Sequence, residues 1–124
     1  MKKEYCSSNS HIKYAGTHLI IELWDGKNFS SLLRIKKILE DAVKACGATL
    51  LKINLHKFSS SGGISGAALL KESHISIHTW PEYKYAAMDI FVCGSVNPYD
   101  AIDVIKKGFT AKNIQIAELK RGIF

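Results

Sequence analysis

A chain of 124 residues with 47% apolar and 23% charged residues has the size and balance of one globular domain, residues 1–124, with a core of its own. Its formal net charge of +6 is spread over scattered lysines, among them Lys36, Lys44, Lys57, Lys84, Lys107 and Lys120, rather than clustered, and no nucleic-acid-binding motif is present, which argues against nucleic acid as a partner. No apolar run approaches the ~20 residues that span a bilayer, and the polar stretch Met1–Ser10 has no apolar segment behind its lysines, so no membrane association is expected and the expected location is the cytoplasm.

Residues 1–13 lack periodicity and read as a flexible tail. The apolar, branched run Thr17–Trp24 reads as a buried strand, and Asp25-Gly26 as a turn. Asn28 or Ser30 can cap a helix whose apolar positions Leu32, Ile35, Ile38, Leu39, Ala42 and Val43 keep a helical period, and Gly47 ends it. Ala48–Phe58 reads as a strand, Ser59–Gly63 as a flexible loop, and Ile64–Leu70 as the next strand. Glu72-Ser73 falls at a break before the strand His74–Trp80, and Pro81–Lys84 turns the chain into a strand over Tyr85–Cys93. Asn97-Pro98 opens a second helix, and Ile114–Leu119 is the last strand. Six strand segments with only two helices, in the order β-α-β-β-β-β-α-β, predict an α+β two-layer sandwich, a largely antiparallel sheet carrying both helices on one face. The bare face is expected to find a second copy, giving an α/β/β/α dimer.

Side chains alternate along a strand, so His74, Ser76, His78 and Trp80 share one face, and Ala87, Asp89, Phe91 and Cys93 share one face of the next strand. Two histidines, a serine and a tryptophan do not make an ordinary core face. The pair His74 and His78 could suggest a metal, but on a strand residues four apart are too distant to chelate one ion readily, so no metal is expected. His18 and His56 read as structural polar residues. The three cysteines have no C-x-x-C spacing, which argues against a disulfide framework or a zinc ribbon; Cys6 falls in the tail and Cys46 reads as core packing.

Gly62-Gly63-Ile64-Ser65-Gly66, Glu72-Ser73-His74, His78-Thr79-Trp80-Pro81-Glu82, Tyr85-Ala86-Ala87 and Asp89–Gly94 occur in an order that resembles the prokaryotic S-adenosylmethionine decarboxylase proenzymes, with Gly16–Leu19 and Arg121-Gly122 extending the likeness over most of the chain. The resemblance implies a chain that cuts itself. Ser73 attacks the carbonyl of Glu72 in an N-to-O acyl shift, and β-elimination then separates a β chain, residues 1–72, from an α chain, residues 73–124. Ser73 is left as a pyruvoyl group, the only cofactor implied. It further implies that His78 and Ser65 assist processing, that Cys93 returns a proton to the product, and that Phe58 stacks on adenine. Trp80, Glu82 and Glu22 are pocket candidates. The substrate would be S-adenosylmethionine, decarboxylated to the aminopropyl donor of spermidine synthesis, and the assembly an (αβ)₂ homodimer.

These residue types suit those roles. An acyl shift needs a placed hydroxyl, a tightly held carbonyl and a proton acceptor, and imidazole accepts protons near neutrality. A carbonyl bound to the substrate amine drains electrons as CO₂ leaves, and a thiol is a weak acid able to return a proton. A sulfonium and an adenine both favour aromatic faces. The loop Ser59–Gly62 departs from the pattern, which has a proline and one residue fewer there. A pyruvoyl-dependent decarboxylase of ornithine or arginine is the alternative within the enzyme class. A non-catalytic α+β binding module is the alternative outside it.

Overall fold

The computed structural model describes residues 13–94 and 96–123; the expectations placed on Cys6 and on most of the tail lie outside them. Six strands form one antiparallel sheet: β1 (Gly16–Trp24), β2 (Leu50–Lys57), β3 (Ile64–Leu70), β4 (Ser73–Trp80), β5 (Tyr85–Val92) and β6 (Asn113–Arg121). Their order across the sheet is β2-β3-β4-β5-β1-β6, so β1 lies between β5 and β6, far from its neighbours in sequence. Two helices, α1 (Leu32–Ala45) and α2 (Ile102–Phe109), pack on each other and on one sheet face. The expected α+β sandwich is therefore the fold.

Alternation explains the layering. Leu19, Ile21 and Leu23 of β1, Ile75 and Ile77 of β4, and Met88, Ile90 and Val92 of β5 point inward and are buried against Ile35, Leu39 and Val43 of α1 and Ile105 and Phe109 of α2. The opposite parity forms an outer face that no element among the described residues covers, on which Ile20, Trp24, Leu69, Trp80 and Leu119 remain exposed. No helix among the described residues is long and apolar enough to cross a membrane.

The structure corrects several boundaries. Ser31, not Asn28 or Ser30, caps α1, its hydroxyl accepting from the Arg34 amide at 3.2 Å. Asn28 instead takes a left-handed backbone (φ 71°), which its short polar side chain tolerates, and its amide donates to the Gly108 carbonyl at 3.1 Å, tying the loop to α2. β2 begins at Leu50 rather than Ala48, because the chain leaves α1 through bonds from the Gly47 and Ala48 amides to Lys44 and Val43. β4 begins one residue early, at Ser73, and β5 ends one early, at Val92. The Ser59–Gly63 loop, expected to be flexible, is a closed turn in which the Phe58 amide donates to Gly63 and the Gly62 amide to Phe58, both at 2.8 Å.

Candidate functional site

Lys71 and Glu72 form a two-residue turn between β3 and β4, and Leu70 pairs with Ser73 across it. The Glu72-Ser73 bond is thus held at a hairpin end. The Glu72 carbonyl accepts from the Cys93 amide at 3.2 Å, and its carboxylate accepts from the Thr49 amide at 2.9 Å, so both sides of Glu72 are fixed. Ser73 has φ 142°, a backbone conformation that L-residues rarely adopt and that costs ~1–3 kcal/mol. In a regular strand its side chain would turn away from that of His74. Here its hydroxyl lies 3.5 Å from Nδ1 of His74.

A row of polar groups runs from there across four neighbouring strands. His74 Nε2 lies 2.8 Å from Oδ2 of Asp89 on β5, and His18 Nε2 on β1 lies 2.6 Å from the same oxygen. Arg121 on β6 donates to Nδ1 of His18 at 3.0 Å, and Ser76 of β4 donates to the other oxygen of Asp89. Burial raises the Asp89 pKa, but the hydrogen bonds from Ser76, His74 and His18 outweigh it and hold the carboxyl below the usual range, so it is ionised. The ligand atoms of His18, His74 and Asp89 lie within 4.8 Å of one another. They could share a cation only by giving up these hydrogen bonds.

The other expected residues gather at the opposite end of the outer face. Ser65 pairs with His78 across β3 and β4, with Oγ 2.9 Å from Nδ1. Asn54, His56, Ser65, Gly66, Ser76 and His78 border a shallow groove of about 480 Å³. Phe58 stands at the end of β2 with its ring 4.7 Å from that of His56. Trp24, Tyr85 and Trp80 stack in sequence, with centroids 4.3 and 5.3 Å apart, and both tryptophans are 40% exposed. Glu22 accepts from the Tyr85 hydroxyl; burial, that bond and the Glu22 charge push the phenol up to about 12, so it remains a donor. Glu82 lies in the exposed turn after Trp80.

The structure therefore joins Glu72, Ser73 and Cys93 at one end, and Ser65, His78, Phe58 and Trp80 at the other. Ser73 and His78 are five residues apart on one strand, about 16 Å at ~3.3 Å per residue, beyond any contact within a single chain. The histidine beside the Cys93 end is His74, not His78. Sequence reasoning gave no role to His74 or Asp89 and a structural one to His18, although the alternation that put Asp89 and His74 on common faces was the available signal.

A family model described as S-adenosylmethionine decarboxylase matches residues 17–122. The chain is 51% identical over 115 residues to an S-adenosylmethionine decarboxylase proenzyme of Methanococcus maripaludis, covering 90% of this chain and 93% of that one. It is 42% identical over 113 residues to the proenzyme of that name from Thermomicrobium roseum, covering 90% and 97%. Among solved structures it resembles the crystal structure of the adenosylmethionine decarboxylase of Aquifex aeolicus, with TM-score 0.77, 34% identity, and coverage of 88% of this chain and 92% of that one. With nearly its whole length matched in sequence and fold, the chain belongs to the S-adenosylmethionine decarboxylase family.

Proposed function

We propose that this chain is a cytoplasmic, self-processing decarboxylase of S-adenosylmethionine that makes a pyruvoyl group from its own Ser73. The observation that carries this reading is Ser73 itself: a serine in a strained backbone, following a carbonyl that a backbone amide holds, at the position to which the resemblance assigns the Glu-Ser cleavage pair. Strain in the Glu72-Ser73 link favours leaving the amide, and the Cys93 amide is placed to stabilise charge developing on the Glu72 oxygen. The group, once formed, supplies the electron sink for decarboxylation. The donor set fits it: the new N-terminus of β4 would lie beside the Cys93 segment, whose thiol would return a proton to the product carbon.

Ser65 and His78 keep the processing role that the resemblance implies, but at about 16 Å along β4 they need a second copy of the chain to reach Ser73. The uncovered outer face supplies the means. A two-fold pairing of outer faces would set the Ser65–His78–Phe58 end of one protomer over the Ser73 end of its partner, completing two composite sites per (αβ)₂ dimer. Phe58 would stack on the adenine, with Trp80, Glu82 and Glu22 lining the approach. Family membership leaves the ornithine or arginine decarboxylase and the binding module without support.

Intact mass spectrometry of the purified protein under denaturing conditions tests the reading. Two species separated between Glu72 and Ser73, the second with a blocked N-terminus, are expected. A single chain of full mass after long incubation, with no decarboxylation of S-adenosylmethionine, would overturn it.

A further inference from the structure

We infer that His74, oriented by Asp89, is the base that takes the hydroxyl proton of Ser73 from within the same chain and so starts the acyl shift; the inference rests on the self-cleavage proposed above. The geometry assigns the tautomer. A carboxylate only accepts, so the ring nitrogen that meets Oδ2 of Asp89 at 2.8 Å, Nε2, carries the hydrogen. The lone pair of the neutral ring is then on Nδ1, the atom that faces the Ser73 hydroxyl at 3.5 Å. That contact is long, as hydrogen bonds between catalytic groups often are before the reacting geometry is reached, and a small rotation about the Ser73 Cα–Cβ bond changes it.

A structural ion pair would need none of the features that surround this one. Asp89 is fixed by Ser76 on its other oxygen and shared with His18, which Arg121 in turn engages, so the carboxylate that orients His74 is itself held from β1, β4 and β6. The unusual backbone at Ser73 brings two consecutive strand residues into contact, which regular alternation forbids. The carbonyl under attack is held by the Cys93 amide. Nucleophile, base, orienting carboxylate and oxyanion donor are thus present in one chain, whereas His78 lies at the far end of the strand.

The step balances. The Ser73 Oγ–H proton passes to Nδ1 of His74 as Oγ bonds to the Glu72 carbonyl carbon, and the negative charge collects on the oxygen that faces the Cys93 amide. The carbon–nitrogen bond then breaks, and the proton held on Nδ1 goes to the released Ser73 nitrogen, leaving an ester and a free amine. His74 acts before the ester exists. Asp89, which touches neither reacting atom, is a positioning residue.

Hydroxylamine separates this step from the later elimination, because at neutral pH it cuts an ester and leaves a peptide bond. Freshly synthesised full-length chains are followed by mass, with and without hydroxylamine. The wild type is expected to process spontaneously. His74→Gln, which can still donate to Asp89, is expected to fold, to process at least about a hundredfold more slowly, and to resist hydroxylamine. Asp89→Asn, nearly the same shape, is expected to slow processing about tenfold or more and also to resist hydroxylamine, and it decides the matter should His74→Gln fail to fold. Processing of either variant at the wild-type rate, or a stalled His74→Gln chain that hydroxylamine cuts at residue 73, overturns the role of His74 and leaves the pyruvoyl reading standing. A wild type that never cuts itself and yet decarboxylates its substrate overturns the pyruvoyl reading, and this inference with it.

Discussion

The outer face carries two histidines four residues apart on one strand, and the structure gives them different surroundings. His74 is clasped by an ionised carboxylate and lies beside a strained serine at a hairpin end. His78 is exposed, bonded to a neutral serine, and bordered by a groove and aromatic rings on regular backbone. On the proposed reading, one end of the face breaks the Glu72-Ser73 bond. The other offers the flat, half-exposed surface that a nucleoside and a sulfonium favour. Identical side chains on one strand thus acquire unlike chemistry from their cross-strand partners.

The largest effect expected is that of Ser73→Ala. With no hydroxyl to attack Glu72, the chain should remain at full mass and show no decarboxylase activity; activity near the wild-type level would remove the cleavage end from the chemistry altogether. Cys93→Ala comes next. The amide that holds the Glu72 carbonyl is retained, so cleavage should proceed, while loss of the thiol should lower kcat by ~10²–10⁴, the range for a general acid. Steady-state kinetics on the fully processed variant checks this, and an unchanged kcat would take Cys93 out of proton return.

Much of this arrangement was legible in the chain. The period-two pattern of Ile75, Ile77 and Thr79 against His74, Ser76 and His78 gave both faces of β4 without any structure. Register was not legible. Ser76 faces Asp89 because the turn through Pro81–Tyr83 sets the β4–β5 pairing, and one residue of slip would have put Asp89 opposite a core residue. The part played by His18 was hidden for another reason. β1 enters the sheet between β5 and β6, so its contacts with Asp89 and Arg121 join residues 71 and 103 apart in sequence. Asn28, Ser30 and Ser31 are all competent caps, and only the left-handed turn at Asn28 selects Ser31. Nothing in the residue types announces φ 142° at a serine.

Phe58→Ala probes the aromatic end. Stacking of a base on an aromatic ring is worth ~1–3 kcal/mol, so KM for S-adenosylmethionine should rise about tenfold or more with kcat nearly kept. Processing should be unaffected, since the Phe58 ring has no proton to give or take in the acyl shift and is assigned only to the adenine. A fall in kcat with KM constant would contradict the division of labour between the ends.

The smallest effect expected concerns the strain itself and separates it from the chemistry. Ser73→Ala and Ser73→Gly both lack the hydroxyl, so both should remain uncut, and they differ chiefly in the backbone freedom of residue 73. Alanine retains the cost of φ 142°, whereas glycine adopts it freely, although glycine also surrenders more entropy on folding. A strain of ~1–3 kcal/mol less ~0.5–1 kcal/mol of entropy predicts that the glycine variant melts a few degrees above the alanine variant. Paired thermal melts of the two uncut chains measure this directly. The same glycine exchange at His78, on unstrained strand backbone, should lower the melting temperature instead, because there only the entropic cost remains. Opposite signs at the two positions would locate the stored strain at the Glu72-Ser73 link, and equal signs would mean that Ser73 holds no more strain than its neighbours.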